Sequence, residues 1–104
     1  MKLSEMKTAT ELVEERRRDP GFRREWDRLA VAREVSINVV RYRAEHGLSQ
    51  RAFAALVGLQ QPAVARLENA ENQPTLDMLA KLSQATGLRF RIDVADGDVT
   101  LTAA

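Results

Sequence analysis

The sequence predicts a mainly α protein that ends in a β-hairpin, and three observations carry that reading. Apolar residues recur at helical spacing between Phe22 and Leu82, in segments punctuated by Asp-Pro, Ser, Gly and Pro-Thr signals. Aromatic residues are only 5% of the 104, so a core must be mostly Leu, Val and Ala, which suits helix packing. From Leu88 onward the period shortens to a strict alternation on either side of an Asp-Gly pair.

Residues 1 to 7 read as a frayed leader. Thr8 and Glu11 have capping-box spacing, in which each side chain satisfies a backbone amide near the other, and predict a charged helix to about Arg18. Asp19-Pro20 breaks that helix and starts another, because aspartate is a good N-cap and proline at the first position forfeits no needed bond. Phe22, Trp26 and Leu29 begin an apolar stripe that runs through Val35, Val39 and Val40 to His46, where Gly47 supplies a stop. One long helix and two helices jointed near Ala30 fit this stretch equally well.

Three shorter helices follow. The first is capped by Ser49, turns Ala52, Phe53, Leu56 and Val57 inward, and ends at Gly58. The second opens around Gln60 to Pro62, buries Val64 and Leu67, and runs to about Asn69. The third opens at Pro74-Thr75, with Leu76, Leu79, Ala80 and Leu82 inward and Gly87 as its stop. Asp96-Gly97 then predicts a two-residue hairpin turn, since both central positions need positive φ. With that tip, Val94 faces Val99, Ile92 faces Leu101 and Phe90 faces Ala103, and all of these fall on one side.

Composition excludes several classes. No run of 18 apolar residues is present, so no membrane-spanning helix is expected. The N-terminus lacks the layout of a secretion signal, and a cytoplasmic protein is the simplest expectation, associated with the nucleoid when bound to DNA. The absence of cysteine excludes disulfides and thiolate metal sites. One histidine, no phosphate-binding glycine loop and no Glu-x-x-His spacing make an enzyme the least expected reading; no catalytic residue, metal or cofactor is assigned. Sixteen Lys+Arg against fifteen Asp+Glu leave a net charge of +1. A single copy is then expected to hold DNA weakly, and a homodimer to supply the affinity.

The segment from Gly47 to Glu68 carries the functional signal. A helix, a glycine turn and a second helix within about twenty residues can seat the second helix in a major groove. Ala54 and Ala55 are small enough for the two helices to cross closely.

The stretch LSQRAFAALVGLQQPAVARLEN from Leu48 to Asn69 resembles the Xre/Cro family of helix-turn-helix regulators. Arg43 to Leu48, Pro74 to Leu79 and Ala85 to Leu88 extend the likeness, which covers about residues 35 to 88. The lead-in Asp19-Pro20-Gly-Phe22-Arg-Arg-Glu-Trp26 and the terminal hairpin further resemble HigA-like antitoxins of type II toxin–antitoxin operons. The resemblance implies a five-helix lambda-repressor-like domain over residues 31–87. An N-terminal helical extension (1–30) would meet the toxin, and a β-hairpin (88–104) would join the copies. It further implies an autorepressor that binds double-stranded operator DNA as a dimer and neutralises a RelE/HigB-like ribonuclease toxin.

Residue roles come from the same resemblance. Gln61 and Arg66 match base-reading positions, suited to adenine and guanine edges respectively. Gln60, at the helix entrance, suits a cap, a phosphate contact or a base reader. Ser49, Gln50 and Arg51 at one helix start, with Asn69, Asn72 and Gln73 in the following loop, match phosphate-contact positions. Pro62 departs from many members and removes one reader, while Ala63 and Ala65 reach no further than a thymine methyl. Arg43 and Glu68 match an internal ion pair whose role is structural.

Other assignments stay open at this level. Leu12, Phe22 and Trp26 suit a toxin contact, although the two aromatics equally suit a cover over the core. Phe90, Ile92, Val94, Val99 and Leu101 suit a dimer interface, since a lone hairpin is marginal in water, yet the hairpin can also pack on its own domain. A stand-alone repressor without a toxin, and an adaptor that keeps the fold but binds only protein, compete with the antitoxin reading.

Overall fold

Side-chain caps set where most of the helices begin. The computed structural model describes residues 8–102, so the expected leader and the pairing of Phe90 with Ala103 lie outside the described residues. Helix α1 (Ala9–Arg16) opens on the predicted capping box, with the Thr8 hydroxyl accepting from the Glu11 amide at 3.1 Å and the Glu11 carboxylate accepting from the Thr8 amide at 3.4 Å. It ends two residues earlier than expected. Asp19 caps α2 (Pro20–Arg28) by accepting from the Gly21 amide at 2.8 Å. Ser49, Gln60 and Thr75 precede α4 (Gln50–Val57), α5 (Gln61–Glu68) and α6 (Leu76–Thr86).

Residues 20 to 46 form two helices. Leu29 ends α2 and begins α3 (Ala30–His46), at φ −98° and ψ 14°, with no side-chain cap. Two bonds hold this joint from outside. The Arg33 guanidinium donates to the Trp26 carbonyl at 2.6 Å, and the Gln73 amide donates to the Arg28 carbonyl. Both acceptors belong to the last turn of α2, where carbonyls have room for a further donor, and that of Trp26 also accepts from the Leu29 amide at 3.3 Å.

The core is made by α3 to α6. Val31, Val35, Val39, Phe53, Ala54, Val57, Val64, Leu79 and Leu82 form one buried cluster, flanked by half-buried Leu67 and Met78. Four helices therefore build the domain where five are expected, and the other two described helices belong to the N-terminal extension. The inward faces also differ from expectation in detail. Ala52, Ala55 and Leu56 are exposed on α4, because its buried face centres between Phe53, Ala54 and Val57. On α6, Leu76 is 76% exposed and Ala80 is exposed, since the core begins only at Leu79. Val40 likewise faces away from the core of α3.

Strands β1 (Arg91–Ala95) and β2 (Asp98–Thr102) pair antiparallel in the predicted register, with Ile92 opposite Leu101 and Val94 opposite Val99. Asp96 and Gly97 take φ +55° and +80°, as a two-residue turn of this hand requires. Phe90, Ile92, Val99 and Leu101 pack on the domain's own core, and β2 is the strand that lies on α3. The apolar side expected to meet a second copy is thus largely covered from within. Val94, 70% exposed, is the exception. No described helix is long and apolar enough to cross a membrane.

Besides Asp96 in the hairpin turn, one non-glycine residue among those described takes a positive φ. Ala70, just after α5, sits at φ +52°, where its Cβ crowds the following carbonyl. Replacing Ala70 with glycine relieves that crowding and costs some unfolded-state entropy, for an expected net gain of about 0.5 kcal/mol. Urea unfolding of Ala70→Gly against wild type measures it, and a loss of stability contradicts the strain.

Candidate nucleic-acid interface

Helices α4 and α5 are joined by a turn in which Gly58, at φ +77°, reverses the chain. The Leu59 amide then donates to the Ala54 carbonyl at 2.9 Å. Buried Val64 and half-buried Leu67 hold the inner side of α5, and Ala63 and Ala65 keep the helix slim. The far end is fixed more firmly. Arg43 donates to both oxygens of Glu68, at 2.9 and 2.6 Å, and to the Leu48 carbonyl at 3.0 Å. That bond to Glu68 raises the Arg43 guanidinium above its ordinary pKa, burial opposing it more weakly. Arg43 and Glu68 are therefore the internal pair the sequence suggested, joining α3 to α5.

Sequence reasoning missed a third fastener. The Ser36 hydroxyl donates to the Glu68 carbonyl at 2.6 Å, one of the carbonyls left open at the end of α5. A serine on the flank of a long helix gives no motif, so only the folded arrangement reveals it.

The outer side of α5 presents the candidate readers. Gln61 is half-buried beside Gln50, and its amide nitrogen donates to the Gln50 side-chain oxygen at 2.8 Å. That bond holds the Gln61 carboxamide while leaving its oxygen and second N–H uncommitted. Gln60 makes no side-chain cap, which removes the first of its three suggested roles. Its side chain is exposed at the start of α5, beside Arg51 and Pro62 in one shallow cleft. Arg66 is exposed one turn later. Among the described residues, no hydrogen bond or ion pair engages Arg66 or Arg51.

The candidate phosphate contacts divide into three groups. Ser49 accepts from the Ala52 amide at 3.0 Å, which leaves the first amides of α4, at Gln50 and Arg51, without helical partners. Asn69 ends α5, with its side chain 3.5 Å from Glu71, and Asn72 is exposed. Gln73 differs from its expected role: it turns toward α2 and donates to the Arg28 carbonyl. Asn72 and Gln73 nonetheless line one cleft with Arg66 and Thr75, between α5 and the start of α6.

The extension carries the candidate protein contacts. Phe22 and Trp26 stack with centroids 5.9 Å apart, and each ring has an arginine over its face: Arg16 at 4.7 Å and Arg33 at 3.6 Å. Burial at this joint lowers the Arg33 pKa, with Asp27 and Glu34 opposing. The two aromatics are half-buried and lie outside the core cluster. Leu12 is exposed on α1, a helix with no fully buried residue.

The model of a family described as Helix-turn-helix matches residues 39–92, from the middle of α3 into β1 and just over half of the chain. No curated protein matches the chain.

Proposed function

Since the chain belongs to this helix-turn-helix family and is a sequence-specific DNA-binding regulator, we propose that it acts as an autorepressing antitoxin that grips its operator as a dimer. The observation that carries the DNA-binding half is the outer side of α5. A carboxamide held by its neighbour and an uncommitted guanidinium project from a helix whose other side is locked to the core. Two such helices, related by a twofold axis, enter successive major grooves about 34 Å apart. Repression follows from occupying the promoter, with no chemistry required.

The antitoxin half rests on the layer formed by α1 and α2. These helices precede the matched region, and α2 is bonded to the domain at its last turn. Leu12 and the Phe22–Trp26 stack give this layer an apolar surface for a RelE/HigB-like toxin. The chain's near-neutral balance of charge makes the second copy necessary for tight binding at ordinary salt.

Footprinting on the DNA upstream of the coding frame tests the first half. Two protected half-sites about one helical turn apart are expected, and no protection even at low salt leaves the adaptor reading instead. Deleting residues 1–18 tests the second half. Protection of cells from the toxin encoded beside the gene is expected to fail while the footprint survives. A footprint without any toxic neighbour points to the stand-alone repressor.

A further inference from the structure

We propose that the free edge of β1 pairs antiparallel with β1 of a second copy, with Ile92 on the twofold axis. This gives the dimeric reading above, on which it rests, a definite surface. Among the described residues the sheet has two strands, and no strand lies beyond β1. Strand β2 is the one packed on α3, and no helix packs comparably on β1.

The hydrogen-bonding pattern selects which residues can meet. The two-residue turn closes on Ala95 and Asp98, so Ala95, Asp93 and Arg91 spend their backbone groups on β2. The backbone groups of Ile92 and Val94 therefore point outward. A symmetric antiparallel partner must set outward residues opposite outward residues, with the axis on an outward residue or on one between two of them, and charge then decides between the centres. Centring on Ile92 sets Arg91 opposite Asp93 of the second copy, twice by symmetry, as closely spaced pairs between the hydrogen-bonded ones. It also sets Val94, 70% exposed in one copy, opposite Phe90 of the other. A register centred on Phe90 opposes Arg89 to Arg91, like against like. One centred on Val94 opposes Ile92 to Asp96 at the turn. Centres on Arg91 or Asp93 set that charge directly against its own copy, so only the Ile92 register joins opposite charges without opposing like ones and covers the apolar residue.

The result is a four-stranded sheet in the order β2-β1-β1-β2. The outward edge stops being an unpaired row of donors and acceptors, the feature that otherwise invites uncontrolled association.

Charge exchange tests the register. Sedimentation equilibrium is expected to give a dimer for wild type and a dissociation constant about tenfold weaker for Asp93→Arg, where four arginines meet across the edge. The exchanged variant R91D/D93R restores opposite charges and is expected to return within about twofold of wild type. Thr100 lies across from Asp93 inside the hairpin, so the substitution opposes no like charge across the strands of one copy, and the exchanged variant accounts for its nearness to Arg91 on the same strand. The chain has no cysteine, which makes R91C/D93C a clean second readout. Closely spaced antiparallel pairs bring Cα atoms to about 4.5 Å, so oxidation is expected to give a covalent dimer.

Monomeric wild type, a dimer indifferent to Asp93→Arg, or a cysteine variant that folds by circular dichroism but never cross-links each overturns the proposal. Two protected half-sites on DNA that persist unchanged in Asp93→Arg sink this surface alone. A charge-exchange series that behaves as expected in a protein giving no footprint sinks the regulator reading alone.

Discussion

Replacing Glu68 with alanine is expected to lower the unfolding free energy by about 3 kcal/mol, the low end of what breaking a buried ion pair costs. The low end applies because the Arg43 side chain remains 21% exposed, against 10% for Glu68. Alanine leaves the Arg43 guanidinium facing the space that Glu68 filled, with only the Leu48 carbonyl still bonded to it. For a domain of this size the melting temperature falls on the order of 15 °C. Arg43→Lys is also expected to be costly, because an ammonium cannot reproduce two parallel bonds to the carboxylate and a third to Leu48. Urea unfolding of Glu68→Ala, Arg43→Ala and the double variant measures the coupling. A loss under about 1 kcal/mol for Glu68→Ala means that α5 is held mainly by Val64 and Ser36.

The second large effect concerns DNA. Gln61→Ala and Arg66→Ala are each expected to weaken cognate binding by about 1–3 kcal/mol, tenfold or more, while leaving non-specific binding nearly unchanged. Gln50→Ala makes the sharper test. Its side chain holds the Gln61 amide at 2.8 Å, so removing it frees a reader to rotate, and rotation has to be arrested on binding. The double variant Gln50→Ala with Gln61→Ala is then expected to lose little more discrimination between cognate and scrambled duplexes than Gln61→Ala alone, any lost phosphate contact of Gln50 weakening both duplexes alike. Arg51→Ala provides the contrast, weakening all sequences alike and flattening the salt dependence by about one unit of slope. Fluorescence anisotropy on cognate and scrambled duplexes over a salt series separates the two behaviours. Equal losses on both duplexes for Gln61→Ala rule it out as a base reader.

What could be read from the sequence was whatever depends on near neighbours. The Thr8, Asp19, Ser49 and Thr75 caps bond to amides two or three residues away, so spacing alone reveals them. The hairpin register was equally legible, because a two-residue turn leaves each strand residue only one partner. The joint at Leu29 was not legible: neither helix end there uses a side-chain cap, and one of the two bonds that hold it comes from Gln73, far along the chain. The inward side of α4 was ambiguous for another reason. Every residue from Ala52 to Val57 is apolar, so the pattern favours no side until α3, α5 and α6 choose one.

The candidate site divides in the same way. Ser49, Gln61 and Arg66 follow from the motif, and the Arg43–Glu68 pair lies where the resemblance placed it. Ser36 and the inward turn of Gln73 do not follow from it, because each bonds to a carbonyl more than thirty residues away.

The reach of Gln73 has a practical consequence for anyone trimming this protein. Cutting after Arg18 removes α1 but keeps the carbonyl of Arg28, and so spares the tether on the loop beside α5. Cutting at Ala30 removes that anchor and sets the loop loose. A shortened fragment that looks like the minimal reader of DNA is then a poorer one, having to still that loop at each encounter.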